Sequence, residues 1–271
     1  MTLPFSAPSS LSPSFRMSPA TAADLDALAE SYYDAFKIDH GNTYWWPSDR
    51  GAMETWMKRR ILKKMGDRRV RHFKVIDVVT SDLVAWARWD IPEAYDGSFG
   101  PWVDGQGDEI MGGGEVDVSR IVEGKDENGS GYSGAAESNG PVTSAPVEAI
   151  PSSAFDCPEG SNPELCRQFF DAIGAISATW GAKNMLGLSL LCTAPKYHRR
   201  GAAKALMLPM LAIADATGLK TYLEATPTGK PVYEKLGFEV VDEIEIDLRK
   251  VTEKYDELYK LSIMIREPKR P

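Results

Sequence analysis

The segment Leu188-Ser189-Leu190-Leu191-Cys192-Thr193-Ala194-Pro195-Lys196-Tyr197-His198-Arg199-Arg200-Gly201-Ala202-Ala203 passes from an apolar strand-former, through a turn, into small residues that open a helix. That arrangement suits an anion. The first amides of a helix have no partner within it, and the helix dipole places about half a positive charge there. Gly201, Ala202 and Ala203 leave little side chain in the way of a diphosphate approaching those amides, while Arg199 and Arg200 add charge. The segment has neither the Gly-Lys-Ser/Thr of a P-loop nor the Gly-x-Gly of a dinucleotide fold. The competing reading is a plain strand–helix junction with solvated arginines.

Elements on either side must hold that turn. Ser14 to Ser18 reads as a short strand, and Thr21-Ala22-Ala23-Asp24 has the form of a capping box. The helix that follows carries Leu25, Leu28, Tyr32 and Phe36 on one stripe. The aromatic run Tyr44-Trp45-Trp46-Pro47 precedes a second helix, capped by Ser48, with Met53, Met57, Ile61 and Met65 on its buried face. His72 to Val79 and Leu83 to Asp90 form an antiparallel hairpin across Thr80-Ser81-Asp82. Asn162-Pro163 starts a helix that buries Leu165, Phe169, Ile173 and Ile176. Strand Met185 to Thr193, helix Gly201 to Thr217, strand Lys220 to Ala225 and a short helix at Val232 come next. Strands at Phe238 to Leu248 and Leu261 to Ile265 close the order. Pro209 inside the long helix predicts a kink, because it lacks an amide hydrogen.

The 271 residues, 43% hydrophobic and 26% charged, are those of a globular chain. No apolar run reaches the roughly 20 residues of a membrane helix, so no membrane is expected as partner. The net charge of −8 argues against a nucleic acid. Residues 92–165 hold fifteen acids and two bases, so the remainder of the chain is net basic. We read 92–160, rich in Gly and Ser, as a long acidic disordered insertion, with a short element at Ala149-Ile150, and 1–13 as a disordered tail. Docking of a basic partner on that insertion is the functional alternative to mere solvation. Three scattered cysteines and three scattered histidines suggest neither a disulfide framework nor a metal site, and place the chain in the cytoplasm or nucleus.

His198-Arg199-Arg200-Gly201-Ala202-Ala203 resembles the Gln/Arg-x-x-Gly-x-Gly/Ala motif of GNAT acetyltransferases, with His198 in place of the usual Gln or Arg. Val232-Tyr233-Glu234-Lys235-Leu236-Gly237-Phe238, some thirty residues on, resembles the family's Leu-Tyr-x-x-x-Gly-Phe signature. The resemblance covers roughly residues 14–90 and 163–266. It implies one α+β domain over 14–271, interrupted by the insertion, with a central mixed, mainly antiparallel sheet flanked by helices. It also implies acetyl-CoA as co-substrate, with no metal, and a strand ending at Thr193 that splays from its neighbour.

By that resemblance, Leu191 and Thr193 pair with the pantetheine arm, and His198, Arg199, Arg200 and Gly201 lie at the diphosphate together with Ala202, Ala203 and Lys204. Thr226 stands where many members carry a cofactor-touching Asn. Tyr233 matches the tyrosine that protonates the departing thiolate. Glu224 is the candidate base, ahead of Asp90. Tyr33, Tyr44, Trp45 and Trp86 are the candidate substrate-binding residues. The implied reaction is direct acetyl transfer to a primary amine, the acceptor a small molecule, by a monomer or homodimer. The rivals are a protein lysine or N-terminal acetyltransferase and a non-catalytic acyl-CoA-binding or regulatory module.

Overall fold

The computed structural model describes residues 3, 5–99, 156–250, 253, 256 and 258–269. Its strands are β1 Phe15–Pro19, β2 Val70–Asp77, β3 Leu83–Asp90, β4 Leu186–Thr193, β5 Thr221–Ala225, β6 Glu239–Asp247 and β7 Leu258–Arg266. They form one sheet in the order β1-β2-β3-β4-β5-β7-β6. Every pairing is antiparallel except that of β4 with β5. Helices α1 Leu25–Phe36, α2 Arg50–Met65 and α3 Pro163–Thr179 cover one face, and α4 Ala202–Thr217 covers the other. A short helix, α5 Lys230–Glu234, follows β5. This is the mixed, mainly antiparallel α+β architecture that the sequence predicts.

Local chemistry explains where the elements begin. Thr21 N–H donates to the Asp24 carboxylate (2.8 Å), closing the predicted box ahead of α1. Asn162 Oδ1 accepts from Glu164 N–H (3.0 Å) and Leu165 N–H (3.3 Å), with Pro163 in the first turn of α3. For α2 the cap is Asp49 rather than Ser48, through a 2.7 Å bond from Ala52 N–H, because a carboxylate one residue on reaches the free amides. Helix α4 continues through Pro209, which is buried within it.

Alternation in β3 builds both cores: Ala85, Ala87 and Trp89 face α4, and Trp86 faces α1, α2 and α3. Phe73, Met53, Ile61, Leu206 and Met210 are at most 1% exposed, and each contributes about 2 kcal/mol of burial. No helix among the described residues is long and apolar enough to cross a membrane.

Two boundaries need correction. The segment 1–13 is not a free tail along its described part. Leu3, Phe5 and Leu11 pack on the core, and the Phe5 ring meets Phe73 edge-on at 5.2 Å. Those apolar side chains outweigh the surrounding Ser and Pro. The acidic insertion is also narrower than 92–160. Residues Glu93–Phe99 form a 3-10 turn that buries Phe99, and Asp156 is tied to α2 through Trp56 and Arg59. Residues 100–155, including the element expected at Ala149-Ile150, lie outside the described residues.

Candidate active site

The parallel pairing of β4 with β5 runs only from Leu186↔Thr221 to Leu188↔Leu223, and beyond it the strands part. The cause lies on the other side of β4. Its register with β3 shifts between Arg88 and Trp89, leaving Ser189 as an extra residue, and a bulge of this kind bends its strand. Leu186 and Leu188 face α4, whereas Leu190 and Cys192 face the other core. Past the bulge, Ala194 N–H donates to the Val84 carbonyl (2.9 Å). Alternation then pairs the main chain of Leu190 and Cys192 with β3, and turns that of Leu191 and Thr193 toward the gap.

A cavity of about 410 Å³ opens on that gap. Leu191 and Thr193 line one side, and Gly201, Ala202, Ala203 and Lys204 another. Gly201 has φ +83°, a left-handed backbone that favours glycine and aims the helix start into the cavity. The first internal bond of α4 is Ala205 N–H to Gly201 C=O (3.0 Å), so the amides of Ala202, Ala203 and Lys204 are left over for a ligand. The turn is braced from outside. Tyr197 Oη and Lys196 Nζ donate to Asp82 at 2.8 and 2.7 Å, and these two partners, with Lys196 first, hold that carboxyl down to about 2. His198 Nε2 lies 3.0 Å from the Thr193 carbonyl, leaving the Leu191 groups and the Thr193 amide toward the gap.

On the opposite face lies a second cavity, of about 230 Å³. Its walls are aromatic: Tyr32 and Phe36 from α1, Trp45, Trp56 from α2, Phe169 and Phe170 from α3, and Tyr259 from β7. Trp45 anchors them, stacked on Phe169 at 5.3 Å and edge-on to Trp56 and Phe170. Gly41 is required here, since a Cβ would stand 2.3 Å from the Tyr259 ring. The charged residues in the wall are Arg60, Arg88 and Glu224.

The two cavities share Phe36, Leu191, Thr226, Gly229 and Tyr233. Tyr233 is 8% exposed, and burial raises its phenol above the ordinary value, so it holds its proton. Thr226 Oγ1 accepts from Gly229 N–H (3.1 Å), which shapes the loop beneath it. Glu224 also lines a third cavity, of about 290 Å³, next to Asp90 and Lys64. Burial pushes the Glu224 carboxyl up, with Asp90 adding to the effect, and makes it a stronger base once ionised. Cys192 is fully buried and its thiol is pushed well up by that burial, which leaves little thiolate for covalent chemistry.

The structure therefore gathers Leu191, Thr193, His198, Arg199, Gly201, Ala202, Ala203, Lys204 and Thr226 around one cavity. Arg200 is not among its lining residues and instead stacks over Tyr197 at 5.2 Å. Of the four aromatic substrate candidates only Trp45 lines the second cavity. Tyr33 stacks on Trp46 beneath Arg50, since one step along a helix turns a side chain about 100° away from Tyr32. Tyr44 is buried with its hydroxyl on Gln168 (3.1 Å), and Trp86 is enclosed against His72. Sequence reasoning missed Trp56, Arg60 and Phe170 as wall residues. A basic or aromatic residue on an otherwise apolar helix face was the available signal.

Residues 169–247 match the family described as "Acetyltransferase (GNAT) domain". No curated protein matches the sequence. Among solved structures, the chain is similar to a histone acetyltransferase HPA2 and related acetyltransferase from Corynebacterium glutamicum. The identity is 18%, with 95% of this chain and 98% of that one covered, at a TM-score of 0.50. It is also similar to the C-terminal condensation domain of Ebony in complex with beta-alanyl-dopamine, at 12% identity over 93% and 98%, TM-score 0.51. The PaiA N-acetyltransferase from Thermoplasma acidophilum, in complex with coenzyme A, aligns at 13% identity over 94% and 99%, TM-score 0.45. The stretch that matches the GNAT acetyltransferase domain, residues 169–247, supplies β4, α4, β5, α5 and β6 of this fold, and with them the gap, the bare helix start and Tyr233.

Proposed function

We propose that this protein is an N-acetyltransferase that moves an acetyl group from acetyl-CoA to the primary amine of a small molecule. The observation that carries the reading is that two cavities, one against a bare helix start and one aromatic, meet at Tyr233. The first suits coenzyme A. Three unpartnered amides with Arg199 and Lys204 match a diphosphate, and the outward main chain of Leu191 and Thr193 matches an amide-bearing arm. When bound, acetyl-CoA supplies the activated acyl group.

The residues then divide the work. The aromatic walls exclude water and hold the acceptor against the gap. Glu224 takes a proton from the amine as its nitrogen bonds to the acyl carbon. Tyr233 presents its O–H where the carbon–sulfur bond breaks, so that the sulfur leaves as a thiol. One amide bond forms and one thioester bond is lost. The second cavity, about 230 Å³ and walled by aromatic side chains from several elements, suits a small acceptor better than a lysine on a protein surface. The test is thiol release from acetyl-CoA against polyamines, aromatic amines, amino acids, aminoglycosides and peptides. Thiol from a small amine is expected; tight acetyl-CoA binding with no thiol from any amine would leave only a binding module.

A further inference from the structure

The aromatic cavity carries an asymmetry of charge that bears on what it accepts. Arg88 enters from β3 partly buried, and its Nε–H donates to Ser189 Oγ at 2.8 Å. Ser189 in turn donates to the Arg88 carbonyl (3.3 Å), so the bulge residue fixes the direction of the guanidinium. No carboxylate among the described residues forms an ion pair with it. Its neighbour Asp90 is paired with Lys64 at 3.7 Å. Glu224, the acid in the same wall, makes no ion pair there either. Arg60 is a second guanidinium in the wall, stacked on Trp56 at 4.6 Å and only loosely joined to Asp156 at 3.5 Å.

A partly buried guanidinium whose Nε is fixed by Ser189 and which has no ion-paired carboxylate among the described residues offers its fork to a ligand. A carboxylate fills it with two parallel charge-assisted bonds. A polyamine, by contrast, would carry its second cation toward Arg60 and Arg88. We propose that the acceptor is an amine that also bears a carboxylate, on an apolar or aromatic body of amino-acid size, with Arg88 binding the carboxylate. The proposal rests on the acetyl-transfer reading and names its substrate class. Glu224 and Tyr233 then serve the amine end, and Trp45, Trp56 and Phe169 enclose the body.

The experiment is a tryptophan-fluorescence titration of the protein, with and without coenzyme A, using 3-phenylpropionate and 3-phenylpropylamine as matched probes. The carboxylate is expected to bind about 10- to 100-fold tighter, the worth of a charge-assisted pair. Arg88→Met should erase that difference and Arg88→Lys should keep part of it. Ser189→Ala, which leaves the guanidinium but frees its Nε, should weaken the preference at an unchanged melting temperature, and guards against a folding defect in Arg88→Met. Equal or tighter binding of the amine, or a preference that survives Arg88→Met, overturns the inference. Binding is read here without turnover. Absence of thiol release with every amine therefore strikes the transferase reading, whereas an Arg88-independent preference strikes only this one.

Discussion

On one side of the gap between β4 and β5 the groups offered to a ligand are main-chain ones, at Leu191, Thr193 and the start of α4. On the other side they are side chains, drawn from α1, α2, β3, α3, β5, α5 and β7. Main-chain amides have one chemistry wherever they occur, so the first wall depends on backbone path and on the smallness of Gly201, Ala202 and Ala203. The second depends on which side chains happen to converge. A domain built this way can hold its donor constant while its acceptor varies with a few substitutions.

The sharpest way to break that comparison is Gly201→Glu. It places a bulky acid at φ +83° beside the bare amides, close to the Ser10 carbonyl, and should abolish acetyl-CoA binding in calorimetry, a loss of at least about 100-fold. Undiminished affinity would move the cofactor elsewhere. Next in size, Tyr233→Phe should lower turnover by about 100-fold while cofactor affinity stays near normal. Full retained turnover would remove the phenol from the chemistry.

Glu224→Gln should cost about ten-fold near neutral pH, since water can also take the amine proton. Its pH profile is the stronger readout. A raised carboxyl is an active base only above its shifted value, so wild-type rate should fall as pH drops through that point, and the variant should lose this limb. An acid limb that persists in Glu224→Gln assigns the base to another group. The smallest effect sharpens the comparison most: Leu191→Ala should change acetyl-CoA affinity by no more than about two-fold, because the main chain carries the contact. A large loss there would mean that side chains build both walls.

This division also explains what could be read in advance. The strand–turn–helix at Thr193 to Ala203 and the Tyr233-to-Phe238 run are contiguous, so residue type and spacing mark them directly. The element order followed from periodicity and caps, down to the Asn162-Pro163 start of α3. The aromatic cavity draws on elements from α1 to β7, and neighbours in sequence part company within it. Tyr32 faces in while Tyr33 faces out, and Trp86 lies in the core while Arg88, two residues on, reaches the cavity. The bulge at Ser189 had no signal of its own, because an extra residue in an apolar strand looks like any other until its partner strand is known.

The contacts of Asp156 have a practical bearing. Asp156 accepts the Trp56 indole N–H through its carbonyl, and its carboxylate pairs with Arg59 and, more loosely, with Arg60; Trp56 and Arg60 are wall residues of the aromatic cavity. An engineer who trims or swaps the stretch between Phe99 and Asp156 is cutting beside a support of the aromatic cavity. Shortened versions that keep Asp156 should retain their substrate choice, and those cut one residue further should not.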